Sequence, residues 1–99
     1  MKVVFSAQAK AGLRDIALFI ARDNKARAIS FVRELREKAR TVGDMPRALP
    51  LVPRYEHHGI RRRRYGNYLI FYRIEDDRIV VIHILHGARG YGPLLFPED

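Results

Sequence analysis

The sequence predicts an α+β domain: a short N-terminal strand and a helical hairpin, then a three-stranded antiparallel meander, forming one small twisted sheet packed on the helices. Three observations predict it. Apolar residues recur at three-and-four spacing from Ala9 to Val42, three runs rich in β-branched and aromatic residues occupy 59 to 86, and turn signals separate those runs at Gly66-Asn67 and at Glu75 to Arg78. A chain of 99 residues has room for one modest core. A single domain over 1–99 is therefore expected, with an irregular tail from about residue 87.

Val3 to Phe5 form the first strand, and Ser6 is placed to cap a helix whose inward positions are Ala9, Leu13, Ile16, Ala17 and Ile20. Asp23-Asn24 interrupts it. The second helix turns Ala28, Val32, Leu35, Ala39 and Val42 inward and Arg33, Arg36, Glu37, Lys38 and Arg40 to solvent, with Gly43 as its stop. From Asp44 to Gly59 the periodicity lapses, and Pro46, Pro50 and Pro53 predict an extended connector. Of the three strands that follow, Gly59 to Tyr65 is cationic and Tyr68 to Glu75 is apolar and aromatic. The third, Ile79 to His86, shows almost no alternation, which predicts a central strand covered on both faces. Two prolines and three glycines from Gly87 to Asp99 predict the irregular tail.

The composition speaks about partners. Nineteen Lys and Arg oppose 11 Asp and Glu, a net charge of +8, so an anionic partner is expected. With 47% apolar residues the chain has enough to build a core, which excludes disorder as its free state. Absence of cysteine excludes disulfides, thiolate chemistry and cysteine-based metal sites, and fits a reducing compartment. The opening residues are too short an apolar run for a signal peptide, and no later run approaches the ~18 residues of a membrane span. A soluble cytoplasmic protein without membrane contact or cofactor is expected.

The densest signal is the run Arg61, Arg62, Arg63, Arg64. On a strand these residues alternate between faces, Arg61 and Arg63 one way, Arg62 and Arg64 the other. Unpaired burial would cost several kcal/mol each, so at least one row must meet water, acidic protein or phosphate. The run reads either as an edge strand protected from aggregation by charge or as a docking surface. His86 reads either as a histidine bonded to a backbone carbonyl or as a catalytic base. His57-His58 lack spaced carboxylate or thiolate partners, so they read as surface imidazoles and no metal site is expected. Tyr65, Tyr68, Phe71 and Tyr72 interleave with cations as on a nucleic-acid platform, or serve as core and cross-strand pairs.

The order of elements, the block Gly66-Asn67-Tyr68-Leu69-Ile70-Phe71-Tyr72-Arg73 and the block Ile84-Leu85-His86-Gly87-Ala88-Arg89 resemble the RelE/ParE toxin superfamily, and ParE-type toxins in particular. The resemblance covers nearly the whole chain. It implies the toxin of a type II toxin-antitoxin system, neutralised by a cognate ParD-like antitoxin in a hetero-oligomer. RelE-type members are ribosome-dependent mRNA endonucleases with a strand arginine after the hairpin turn. Aligned through Tyr72 that position holds Leu69, which can neither stabilise a phosphorane nor orient a 2′-hydroxyl. Arg62, Arg64 and Arg89 keep cations that the nucleases carry, while the C-terminal tyrosine position falls near Leu95, with Tyr91 close by. RNA cleavage needs a base, an acid and a charge clamp together, and only the clamp is evident.

Three functions follow from this reading. The first is a non-enzymatic toxin that binds DNA gyrase and blocks replication. The second is a nuclease of ribosome-bound mRNA using Arg62, Arg64, His86 and Arg89, and the third a plain nucleic-acid-binding module. The first is preferred, with Arg61 to Arg64, His86, Arg89 and Tyr91 as partner- or target-binding residues and none catalytic. The resemblance also implies an antitoxin that lays a helix on an apolar groove and passes an extended arm near the basic sheet. The segment from Arg89 onward is expected to carry target contacts and to be removable without loss of fold.

Overall fold

The computed structural model describes residues 1–88 and 90–97. Strand β1 (Lys2–Phe5) leads into helix α1 (Ala7–Ala21), helix α2 (Lys25–Thr41), strands β2 (Ile60–Tyr65), β3 (Tyr68–Glu75) and β4 (Arg78–His86), and one helical turn, α3 (Gly92–Leu95). The four strands form one sheet in the order β1-β4-β3-β2, with β1 parallel to β4 and the other pairs antiparallel. The unalternating strand β4 is central, as its composition predicts.

Each helix starts where a side chain satisfies its free N–H groups. Ser6 Oγ accepts from the Ala9 N–H at 3.0 Å and Asn24 Oδ1 from the Arg27 N–H at 2.9 Å. Ser6 also donates its hydroxyl proton to the Ile82 carbonyl at 2.8 Å. That contact pins a bulge: Phe71 pairs with His83 and Tyr72 with Val81, so Ile82 is the extra residue of β4. The bulge shifts the alternation. Ile79 and Val81 face the helices before it, and Ile84 faces them after it.

Both faces of the sheet are apolar. Ile70, Tyr72, Ile79, Val81 and Ile84 pack against Ala9, Leu13 and Ile16 of α1 and Leu35, Ala39 and Val42 at the end of α2. On the opposite face Leu69, Phe71, Leu85 and Ile60 are buried with Val52 and Phe96, which come from the connector and the tail. The connector is anchored by a short antiparallel bridge between Leu51 and Arg61, with the Val52 N–H donating to the Ile60 carbonyl and the Arg62 N–H to that of Pro50. The predicted irregular tail is more ordered than its glycines and prolines imply. It makes the turn α3 and buries Phe96 to 3% exposure, stacked on Tyr55 with ring centroids 4.0 Å apart.

Helix α1 lies so close to β4 that a Cβ on Gly12 would stand 2.6 Å from the Ile84 carbonyl oxygen. In an exposed helix Gly→Ala gains about 1 kcal/mol. Here Gly12→Ala is expected to lower stability by about 1–3 kcal/mol, because α1 must lift off the sheet; urea denaturation of the variant measures the sign.

Candidate functional site

The β2-β3 hairpin is set by its turn. Tyr65 pairs with Tyr68 across Gly66-Asn67, and Gly66 takes φ +58°, the left-handed conformation that the first position of a two-residue hairpin turn requires. This fixes the register Arg61 to Tyr72, Arg62 to Phe71, Arg63 to Ile70 and Arg64 to Leu69. Arg61 and Arg63 therefore share the helix-covered face with Tyr72 and Ile70. Arg62 and Arg64 share the opposite face with Phe71 and Leu69.

The four arginines are spent differently. The Arg61 guanidinium donates to the Leu49 carbonyl at 2.6 Å and the Arg47 carbonyl at 3.3 Å, closing the connector onto the sheet edge. Arg62 Nη1 donates to the Tyr91 hydroxyl at 2.8 Å, and the Tyr91 ring packs on Phe71 with centroids 4.9 Å apart. Among the described residues none of the four meets a carboxylate. Two of the acids are engaged elsewhere: Glu34 accepts from Arg27 at 2.6 Å and from the Tyr65 hydroxyl at 2.7 Å, and Glu75 pairs with Arg73 and Arg78. The Arg27 hydrogen bond, then that of Tyr65, hold the Glu34 carboxyl below its ordinary pKa, and the bond to Glu34 pushes the Tyr65 phenol up. Buried Tyr72 donates to the Pro46 carbonyl at 2.8 Å, and burial pushes its phenol up as well.

His86 stands exposed at the end of β4, across from Tyr68, with their rings edge to face at 5.2 Å. Its Nδ1 accepts from the Ala88 N–H at 3.1 Å, so that nitrogen is occupied and the neutral ring carries its proton on Nε2. The residue thus holds a backbone N–H, where the sequence reading named a carbonyl. Because Tyr68 and Ile84 flank it on the helix-covered face, His86 lies on the other side of the sheet from Arg62, Arg64 and Tyr91. The predicted site residues do not converge into one constellation. Arg89 lies outside the described residues.

Two apolar grooves flank the second half of α1. One, about 340 Å³, opens between α1 and the end of the sheet, lined by Gly12, Asp15, Ile16, Phe19, Tyr68, Ile84 and His86. The other, about 590 Å³, runs along the outside of the α1-α2 hairpin over Leu18, Ala28, Ile29 and Val32, rimmed by Lys25, Arg33 and Arg36. Leu18, Phe19 and Ile29 are 69%, 61% and 65% exposed. The sequence reading passed over these three. Their signal was present, since each is a large apolar residue off the inward stripe of its helix.

A family model described as ParE toxin of the type II toxin-antitoxin system parDE matches residues 3–91. The chain belongs to the ParE toxin family. Among solved structures it is similar to a chain of the chromosomal ParDE system from P. aeruginosa, with TM-score 0.73 and 17% identity over 87% of this chain and 95% of that one. It is also similar to a chain of the RelBE2 toxin-antitoxin complex from Mycobacterium tuberculosis, with TM-score 0.63 and 23% identity over 86% of this chain and 95% of that one. At these identities the likeness is one of fold. No curated protein matches the sequence significantly. The α+β architecture that the two sequence blocks implied is the one these neighbours share.

This member of the ParE family carries two expectations about stability that differ from the sequence reading. Arg61 and Arg64 are not equivalent: Arg61→Ser should cost about 1–2 kcal/mol through its two carbonyl partners, whereas Arg64→Ser should stay within about 0.5 kcal/mol. Urea midpoints of the two variants compare them directly. The tail also belongs to the core, so Phe96→Ala is expected to lose about 3 kcal/mol. A thermal melt unchanged by that substitution would return the tail to the removable segment that the sequence implied.

Proposed function

We propose that this ParE-family chain is a non-enzymatic toxin that acts by binding DNA gyrase, and that a ParD-like antitoxin neutralises it. The observation that carries the reading is Leu69. At the position where the sequence alignment puts the nuclease arginine, a leucine is 4% exposed, packed with Val52, Phe71 and Leu85 in the second core. An arginine could not replace it without burying an uncompensated charge. The scattering of His86 and the arginines over two faces supports the same reading, because proton transfer and charge stabilisation must act on one bound group. What supports an antitoxin partner is the pair of apolar grooves, the net charge of +8 and the fact that both structural neighbours come from toxin-antitoxin systems. Gyrase is a cytoplasmic enzyme, so the proposal places the toxin in the cytoplasm.

One contact favours the nuclease alternative. Arg62 and Tyr91 meet at 2.8 Å on the face that also carries Arg64, a cation and a phenol side by side. The two readings part in a single set of assays on purified protein: gyrase supercoiling with a cleavage readout, and cleavage of ribosome-bound message. Supercoiling should be inhibited and the message left intact. His86→Gln, which keeps a hydrogen-bonding side chain but cannot cycle a proton near neutral pH, should retain most of the activity. Message cleavage by the parent chain, lost in His86→Gln at unchanged stability, would replace the proposal by the nuclease.

A further inference from the structure

The two grooves beside α1 differ in the polar groups they gather. The charged residues of the outer groove are all cations, whereas the groove between α1 and the end of the sheet brings Asp15 and His86 together with the rings of Phe19 and Tyr68. In a chain with 19 Lys and Arg, the Asp15 carboxylate meets no hydrogen-bond donor or cation among the described residues. It is free to accept. The His86 ring is fixed by the Ala88 N–H on Nδ1 and by its edge-to-face contact with Tyr68, which leaves the Nε2–H as its remaining donor. Buried Ile16 and Ile84 line the same groove, and Gly12 adds no side chain to fill it.

A cavity of about 340 Å³ is at the small end of ligand sites, which span about 300–1,000 Å³. Aromatic walls favour a flat ligand that can stack on them. A carboxylate without a partner favours two N–H donors side by side, which it can take up as a fork. Among the nucleobases guanine alone offers that pair, its N1–H and its 2-amino group, with the O6 acceptor next to them for an imidazole N–H. Adenine and cytosine each set a ring acceptor beside the amino group, and uracil has a single N–H between two carbonyls. Beyond the Phe19 wall the Arg22 guanidinium stands 6.0 Å from the ring centroid, placed for the phosphate of a nucleotide whose base stacks on Phe19. We infer that this groove is a binding site for a guanine nucleotide, with the base against Phe19 and Tyr68, its paired donors on Asp15 and its phosphate toward Arg22.

The inference does not rest on the toxin reading. Uncharged nucleosides test it first, because the arginines of β2 attract any phosphate but have no means of choosing a base. Guanosine and adenosine are titrated into the full chain, with amide chemical shifts read at Gly12, Asp15 and Tyr68. Guanosine should shift these amides and bind at least about fivefold more tightly than adenosine. Asp15→Asn exchanges one acceptor for a donor and so matches adenine, and it should reverse that preference at an unchanged melting temperature. Phe19→Ala, at a side chain 61% exposed, should weaken both nucleosides at least about fivefold through lost stacking. Guanosine monophosphate should bind more tightly than guanosine, and Arg22→Ser should remove the difference. A pentathymidine strand with a central guanine then separates the two sources of the base: tighter binding than the mononucleotide assigns the site to single-stranded nucleic acid, and equal or weaker binding to the free nucleotide. Absence of guanosine binding up to about 1 mM would overturn the inference, as would equal binding of the two nucleosides by the parent chain. N-acetyltryptophanamide filling the groove at lower concentration than guanosine would also overturn it, in favour of an aromatic residue of a protein partner.

Discussion

A four-stranded sheet that is apolar on both faces must be covered on both, and among the described residues only α1 and α2 are helices longer than a single turn. Burying a large side chain is worth about 1.5–3 kcal/mol, so leaving Leu69, Phe71 and Leu85 in water would remove a large share of the stability of so small a domain. The helices cover one face. The connector and the tail, which carry little regular structure, must cover the other, and Val52 and Phe96 are the anchors with which they do so. The fold is thus a three-layered arrangement whose third layer is made of loop.

That constraint decides what remains for function. Arg61 and Arg62, the first half of the cationic run, are drawn into holding the third layer, one through the Leu49 carbonyl and one through the Tyr91 hydroxyl. Among the described residues Arg63 and Arg64 make no hydrogen bond to connector or tail. The helical hairpin, by contrast, turns its inner stripe to the sheet and leaves Leu18 and Ile29 on the outside in a groove with a basic rim. The two parts of the molecule that take no part in covering the sheet are therefore the open half of the β2 edge and the outer helical face.

Much of this was legible in the chain. The cap at Ser6, the break at Asp23-Asn24, the inward stripes of both helices, the Gly66-Asn67 turn and the central place of β4 all follow from local chemistry. The bulge at Ile82 did not, because a run such as Ile79-Val-Val-Ile-His-Ile-Leu offers no alternation from which a shift of register could be read. The third layer was hidden for a different reason. Glycine and proline around Tyr91 and Phe96 disfavour regular structure, and an irregular segment buries a side chain only where tertiary packing offers a site. For the site, alternation paired Arg61 with Arg63 and Arg62 with Arg64, but which pair shares a face with the helices depended on the register with Tyr72 and Phe71. The distance of His86 from the second pair is likewise a property of the sheet and not of sequence spacing.

Native-state hydrogen exchange tests the covering of the second face most directly. The Val52 N–H bonded to the Ile60 carbonyl and the Phe96 N–H bonded to the Gly92 carbonyl belong to the third layer, and the β3 amides belong to the sheet. If connector and tail are part of one cooperative core, these amides exchange with the same free energy as those of β3, close to that of global unfolding. Rapid exchange at Val52 and Phe96 with β3 still fully protected would show that the sheet stands without its third layer, and would contradict the account.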